Sequence, residues 1–180
     1  MVPSDDRAAV PVVGVVTLVG MTVVLAALIG STAFAHADLT APPLVVTNTD
    51  EPVTAATAGA DDDQQVRIYH ERGDSVPANE IEILVLLPDH DRETRLIDLP
   101  TEGELTTSGF DGDDIVDRRA NRLTGPAFEG GEWSVGEPIG FRIKSYRDDG
   151  VALTPGDSVV VRVVHIPTGT MLVDTELPVR

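Results

Sequence analysis

The chain has 180 residues, a formal net charge of −17 from 30 acidic and 13 basic side chains, and no cysteine. That acidity repels phosphate backbones and argues against nucleic acid as a partner. The missing thiol excludes disulfides, thiolate catalysis, iron–sulfur clusters and thiol zinc sites.

Residues 1–7 (MVPSDDR) are polar and end in Arg7. From Ala8 to Ala37 there is no Asp, Glu, Lys or Arg. Val, Leu, Ile, Met and Ala would fall on every face of a helix there, with no polar stripe. The run is long enough to cross a bilayer, for which about 20 apolar residues suffice. Arg7 precedes it and Asp38 follows it. The positive-inside tendency then puts the N-terminus inside and the large domain outside.

Three readings of the run compete. A signal peptide would have a shorter apolar core, about 7–15 residues, although Ala33-Phe34-Ala35 and Ala35-His36-Ala37 have the small-x-small form of cleavage sites. A plain single-pass anchor is the second reading. A helix stored in the membrane and later packed into a fibre core is the third.

Arg7-Ala8-Ala9-Val10-Pro11-Val12-Val13-Gly14, continued by the Thr22–Gly30 segment TVVLAALIG, resembles the opening of archaeal type IV pilins, especially the haloarchaeal adhesion-pilin group. The resemblance implies cleavage by a prepilin peptidase between Ala8 and Ala9, with Arg7 as the charged residue before the cut. Pro11 would then fall in the first helical turn, where its missing N–H costs nothing. Gly14, Gly20, Ala26, Ala27 and Gly30 are small positions that let apolar helices approach closely. The sequence departs from the group's pattern in having Val10 where Ser is common.

Beyond the run, Pro42-Pro43 ends the helix, and Leu44-Val45-Val46 is a possible first strand. Thr/Ala/Gly-rich sequence follows to Ala60 and reads as a linker or a long surface loop. Asp61-Asp62-Asp63 reads as a solvated turn rather than a calcium site, because adjacent Asp side chains point in different directions. From Gln64 the pattern has period two. Gln65–His70 alternates as a half-buried strand, and Glu71–Val76 reads as a turn. Glu80–Leu87 is the next strand, ended by Pro88. A strand ending in His, then Gly-Asp and a Val/Ile-rich strand, also resembles the pilin group.

Arg92–Leu99 predicts another strand, and Thr101–Arg122 predicts mostly loop. Gly130–Gly136 predicts a turn into a short strand, and Ile139–Ile143 an alternating strand. Trp133, Phe128 and Phe141 are the expected aromatic core. Pro155-Gly156-Asp157 and Pro167-Thr168-Gly169 are turns that frame strands Ser158–Ile166 and Thr170–Val179 as a hairpin. About seven or eight short strands with closely spaced turns suggest an immunoglobulin-like sandwich.

Catalytic signatures are sparse. His36, His70, His90 and His165 lack metal spacing, and His70 and His165 read as packed or turn-satisfied. No nucleophile elbow occurs, and there is neither a phosphate loop nor a dinucleotide glycine pattern. Asp89-His90-Asp91 could assist a metal or a proton transfer but follows Pro88 in a loop. Arg72-Gly73-Asp74 spells an adhesion tripeptide, yet Gly-Asp is a common turn pair. The 42 % hydrophobic content speaks against disorder, so the acidity reads as a solvated surface adapted to high salt, where like charges barely repel.

The expected architecture is therefore α+β, with one long N-terminal hydrophobic helix followed by an all-β sandwich. Its parts are a leader at 1–8, the helix at 9–37, a linker at 38–63 and the sandwich at 64–180. The resemblance implies a structural pilin subunit of a surface filament serving adhesion. Its partners would be further pilin copies, the prepilin peptidase and the membrane. It would sit in the cell membrane as a precursor and in an extracellular filament when mature. The alternative is a membrane-anchored extracellular binding module that does not polymerise. Catalysis, cofactors and metals are not expected.

Overall fold

The computed structural model describes residues 14–26, 41–48, 51–58, 63–146 and 150–180. The chain divides into two compact units, Met1–Thr40 and Ala41–Arg180.

In the first unit, residues 14–26 form helix α1. Its described side chains are exposed, among them Leu18 at 68 % and Met21 at 66 %. Thr22 turns its hydroxyl back onto the carbonyls of Leu18 and Val19, the usual way a helical Thr satisfies itself. At 1.5 Å per residue the described stretch 14–26 spans about 20 Å. The segment is rich in Val and carries Gly14 and Gly20, all poor helix formers.

Among the described residues no helix is long and apolar enough to cross a membrane. This overturns the expected membrane-length helix. The pilin architecture, the membrane anchor, the membrane and filament partners and the membrane-to-surface location lose their support with it.

The second unit is built from β1 (Val45–Asn48), β2 (Gln65–Gly73), β3 (Val76–Pro77), β4 (Ile81–Leu87), β5 (Arg92–Leu96), β6 (Phe110–Gly112), β7 (Glu132–Trp133), β8 (Pro138–Arg142), β9 (Ser158–His165) and β10 (Thr170–Pro178). A single helical turn, α2 (Pro126–Glu129), precedes β7. The order is β10-β9-β4-β5-β6 in a five-stranded sheet and β1-β2-β8 in a three-stranded one, and β3 pairs β7.

These sheets are open, and among the described residues no closed immunoglobulin-like sandwich forms. The reason lies in β4, β5 and β6, which continue one sheet as a meander instead of crossing to the other. Alternating hydrophobicity fixes which face of a strand is buried, but not which neighbour pairs with it.

The strands form where alternation runs. In β9, Val159, Val161 and Val163 are buried, while the residues between them are partly exposed. β4 does the same with Ile81, Ile83, Val85 and Leu87. The core gathers these with Val66, Ile68, Ile139, Phe141, Phe128 and Trp133. Trp133 satisfies its indole N–H on the Glu137 carbonyl at 3.0 Å, as a buried indole must. Val53 is fully buried as well and bridges Val179, so residues of the expected linker belong to this core.

The β4–β9 pair is clasped at both ends. Before β4, Glu80 Oε2 lies 3.2 Å from His165 Nε2 at the end of β9. After β4, His90 Nε2 lies 3.0 Å from Asp157 Oδ2, just before β9.

Candidate functional site

Arg7, Ala8, Ala9, Pro11 and Gly30 lie outside the described residues. Gly14 and Gly20 lie on α1, and a Cβ at either would meet nothing within 4 Å.

The motifs in the β unit have local roles. Gly73 holds φ +118°, and a Cβ there would meet the Leu44 carbonyl oxygen at 1.9 Å. Asp74 accepts the Leu44 N–H at 3.0 Å, so Gly73 and Asp74 seat β1 against β2. Asp89 accepts the Ser158 N–H, and Asp91 adopts the left-handed conformation that ends its turn. His70 bonds the carbonyls of Trp133 and Arg72, and His165 bonds Thr168. Asp61 and Asp62 lie outside the described residues, but Asp63 is buried, which corrects the solvated-turn reading at that position.

Among the described residues a dense set of ionisable groups carries no signal in the sequence pattern. It covers the outer face of β8. Phe141 points into the core, so Arg142 points outward by alternation. Arg142 is nevertheless buried, because residues 115–117 run antiparallel beside 142–144. Val116 bridges Ile143, and the N–H groups of Asp117 and Lys144 bond the carbonyls of Arg142 and Ile115.

The Arg142 guanidinium donates to the Asp63 carboxylate through Nη2, to the Asp63 carbonyl at 3.0 Å and to Asp117 Oδ2 at 3.3 Å. Asp117 also accepts from Arg119 Nη2 at 2.6 Å and from the Tyr146 hydroxyl at 3.0 Å. Arg119 lies over the Tyr146 ring at 5.1 Å. Next to this set, Lys144 Nζ and Arg118 Nη2 converge on Asp114 Oδ2 at 2.9 and 2.8 Å.

Burial pushes the Asp117 carboxyl up. Hydrogen bonds from the Arg119 side chain and backbone, the Tyr146 hydroxyl and the Arg119 charge outweigh burial and bring it down to about 2. The Tyr146 phenol is raised, by burial first and then by the adjacent Asp117 carboxylate.

Beside this network the same sheet face is hollow. Gln65, Arg67 and Tyr69 alternate outward on β2, while Val66, Ile68 and His70 are buried. Arg67 pairs with Gly140. A Cβ on Gly140 would lie 2.5 Å from Thr124 Oγ1, so glycine there lets Thr124 bridge closely alongside β8. Thr124 and Gly140 exchange backbone bonds of 2.8 and 3.0 Å.

Two adjoining concavities share Gln65 and Arg67. One, about 370 Å³, is completed by Glu51, Pro52 and Thr54. The other, about 110 Å³, is lined also by Asn121, Arg122 and Thr124. Among the described residues no group of three or more His, Cys, Asp or Glu side chains could hold a metal ion. Comparison with protein-family models and with curated proteins finds no match.

Proposed function

We propose that the unit Ala41–Arg180 works without catalysis, as a rigid domain holding a fixed polar surface for recognition. One observation carries this reading: the buried charges are committed to one another. Asp117 accepts from Arg119, Arg142 and Tyr146, and Arg142 donates to Asp63, Asp117 and Ser145. A general base works best with a pKa near the operating pH, whereas Asp117 sits at about 2. The raised Tyr146 phenol stays protonated. Groups placed this way tie residues 63, 114–119 and 142–146 together and leave the neighbouring hollow in a constant shape.

The test compares wild type, Asp117→Asn and Tyr146→Phe for thermal unfolding and for turnover of ester, glycoside, phosphate-ester and peptide substrates. Both variants are expected to unfold earlier, and none of the three proteins to turn over any substrate. A turnover that Asp117→Asn abolishes while the unfolding midpoint holds would overturn the reading.

A further inference from the structure

We propose that the hollow around Gln65 and Arg67 is a binding site for a hydroxylated carboxylate of the uronate-sugar class; this rests on the domain being a recognition surface. Arg67 is the anchor. Its side chain is 45 % exposed, and its acidic neighbour Glu51, 65 % exposed, stands 3.9 Å away. An exposed pair at that distance contributes little, so a ligand carboxylate displaces Glu51 at small cost. In return it takes the planar guanidinium fork through two parallel bonds, which a carboxylate fits and a neutral group does not.

Gln65 fixes that fork. Its Oε1 accepts from Arg67 Nη2 at 2.7 Å, holding the guanidinium over the hollow. Arg122 adds a second guanidinium to the smaller hollow, and the rest of the polar lining is neutral: hydroxyls of Thr54 and Thr124, and the amide of Asn121. Hydroxyls and amides both donate and accept, as sugar hydroxyls do. A bare carboxylate would use Arg67 and leave these groups to water. A neutral sugar would use them and leave Arg67 to Glu51. The larger hollow, about 370 Å³, falls in the range of small-molecule sites, about 300–1,000 Å³.

The ligand approaches a chain of net charge −17, so binding is measured at about 1 M salt, where that repulsion is screened. The probes are digalacturonate, a neutral galactose disaccharide and acetate, titrated into the full chain by calorimetry. Digalacturonate is expected to bind at millimolar concentration or better, and the other two at least about tenfold more weakly. Arg67→Met should lose about tenfold in affinity. Glu51→Gln should gain about threefold by removing the internal competitor.

Circular dichroism should be unchanged in both variants, since both side chains are exposed. No binding of digalacturonate at about 10 mM, equal affinity for the neutral disaccharide, or full affinity in Arg67→Met would each overturn the site. Turnover of the bound sugar would instead overturn the non-catalytic reading and leave the site standing.

Discussion

Asp117 Oδ2 stands 3.3 Å from Arg142 Nη1, and the two side chains are 0 % and 3 % exposed. Removing one partner of such a pair strands the other in a medium that cannot solvate it. Arg142→Met leaves both Asp63 and Asp117 short of a donor, and should cost about 3–5 kcal/mol in urea-induced unfolding. Asp117→Asn keeps the shape and loses the charge, and should cost less. Made together, the two changes should cost less than the sum of the single losses, since the residues touch.

The same carboxyl makes stability depend on pH. Its folded pKa of about 2 lies below the unfolded value of about 3.9. Between these values the unfolded chain binds more protons, so stability rises with pH. The contribution is about 2 kcal/mol, complete above about pH 4–5 and lost as pH falls through 2. Asp157, held low by the Thr154 N–H and by His90, acts in the same direction. Urea midpoints from pH 6 down to pH 2 should fall in wild type and fall less in Asp117→Asn.

Gly73→Ala should break the seat of β1. The new Cβ would sit 1.9 Å from the Leu44 oxygen at a φ of +118°, a conformation that L side chains rarely adopt. A loss of about 1–3 kcal/mol is expected. Amide exchange should quicken in β1 before it does in β9. Arg72→Ala, on an exposed side chain, should change neither quantity.

Salt should stabilise the β unit. Raising ionic strength from about 0.1 M to 1 M shortens the Debye length from about 10 Å to about 3 Å, which relieves the self-repulsion of a strongly acidic surface. The thermal midpoint should rise over that range. The Arg142→Met penalty should stay nearly constant, because a sealed pair is poorly screened.

The individual strands were legible because their signal is local. SVVVRVVH between two turn triplets has Ser158 and Arg162 on one face, and β9 buries every second residue, on the other. The β9–β10 hairpin was legible too, from the turn between its strands, but the wider sheet order was not: alternation in Arg92–Leu96 does not say that β5 and β6 continue the sheet beside β4 instead of crossing to the other. The charge network was invisible for the same reason. Arg142 looks like the outward residue of an alternating strand, and its partners come from 25 and 79 residues away. Asp63 looked solvated because two further Asp precede it. The stretch Thr101–Arg122 reads as loop, and the short 115–117 pairing that covers Arg142 lies within it. The apolar run misled in another way: its composition suited a membrane-length helix, and among the described residues none is long and apolar enough to cross a membrane.

The Glu80–His165 and His90–Asp157 contacts have a mechanical consequence. Each strand of the central pair contributes one imidazole and one carboxylate, placed at opposite tips. Sliding one strand along the other by two residues keeps every valine on its proper side, so hydrophobicity alone would tolerate the slip. The latches would not, for any such slide pulls both apart together. The middle of the sheet is thus pinned lengthwise by four polar side chains, leaving its valines to resist only separation.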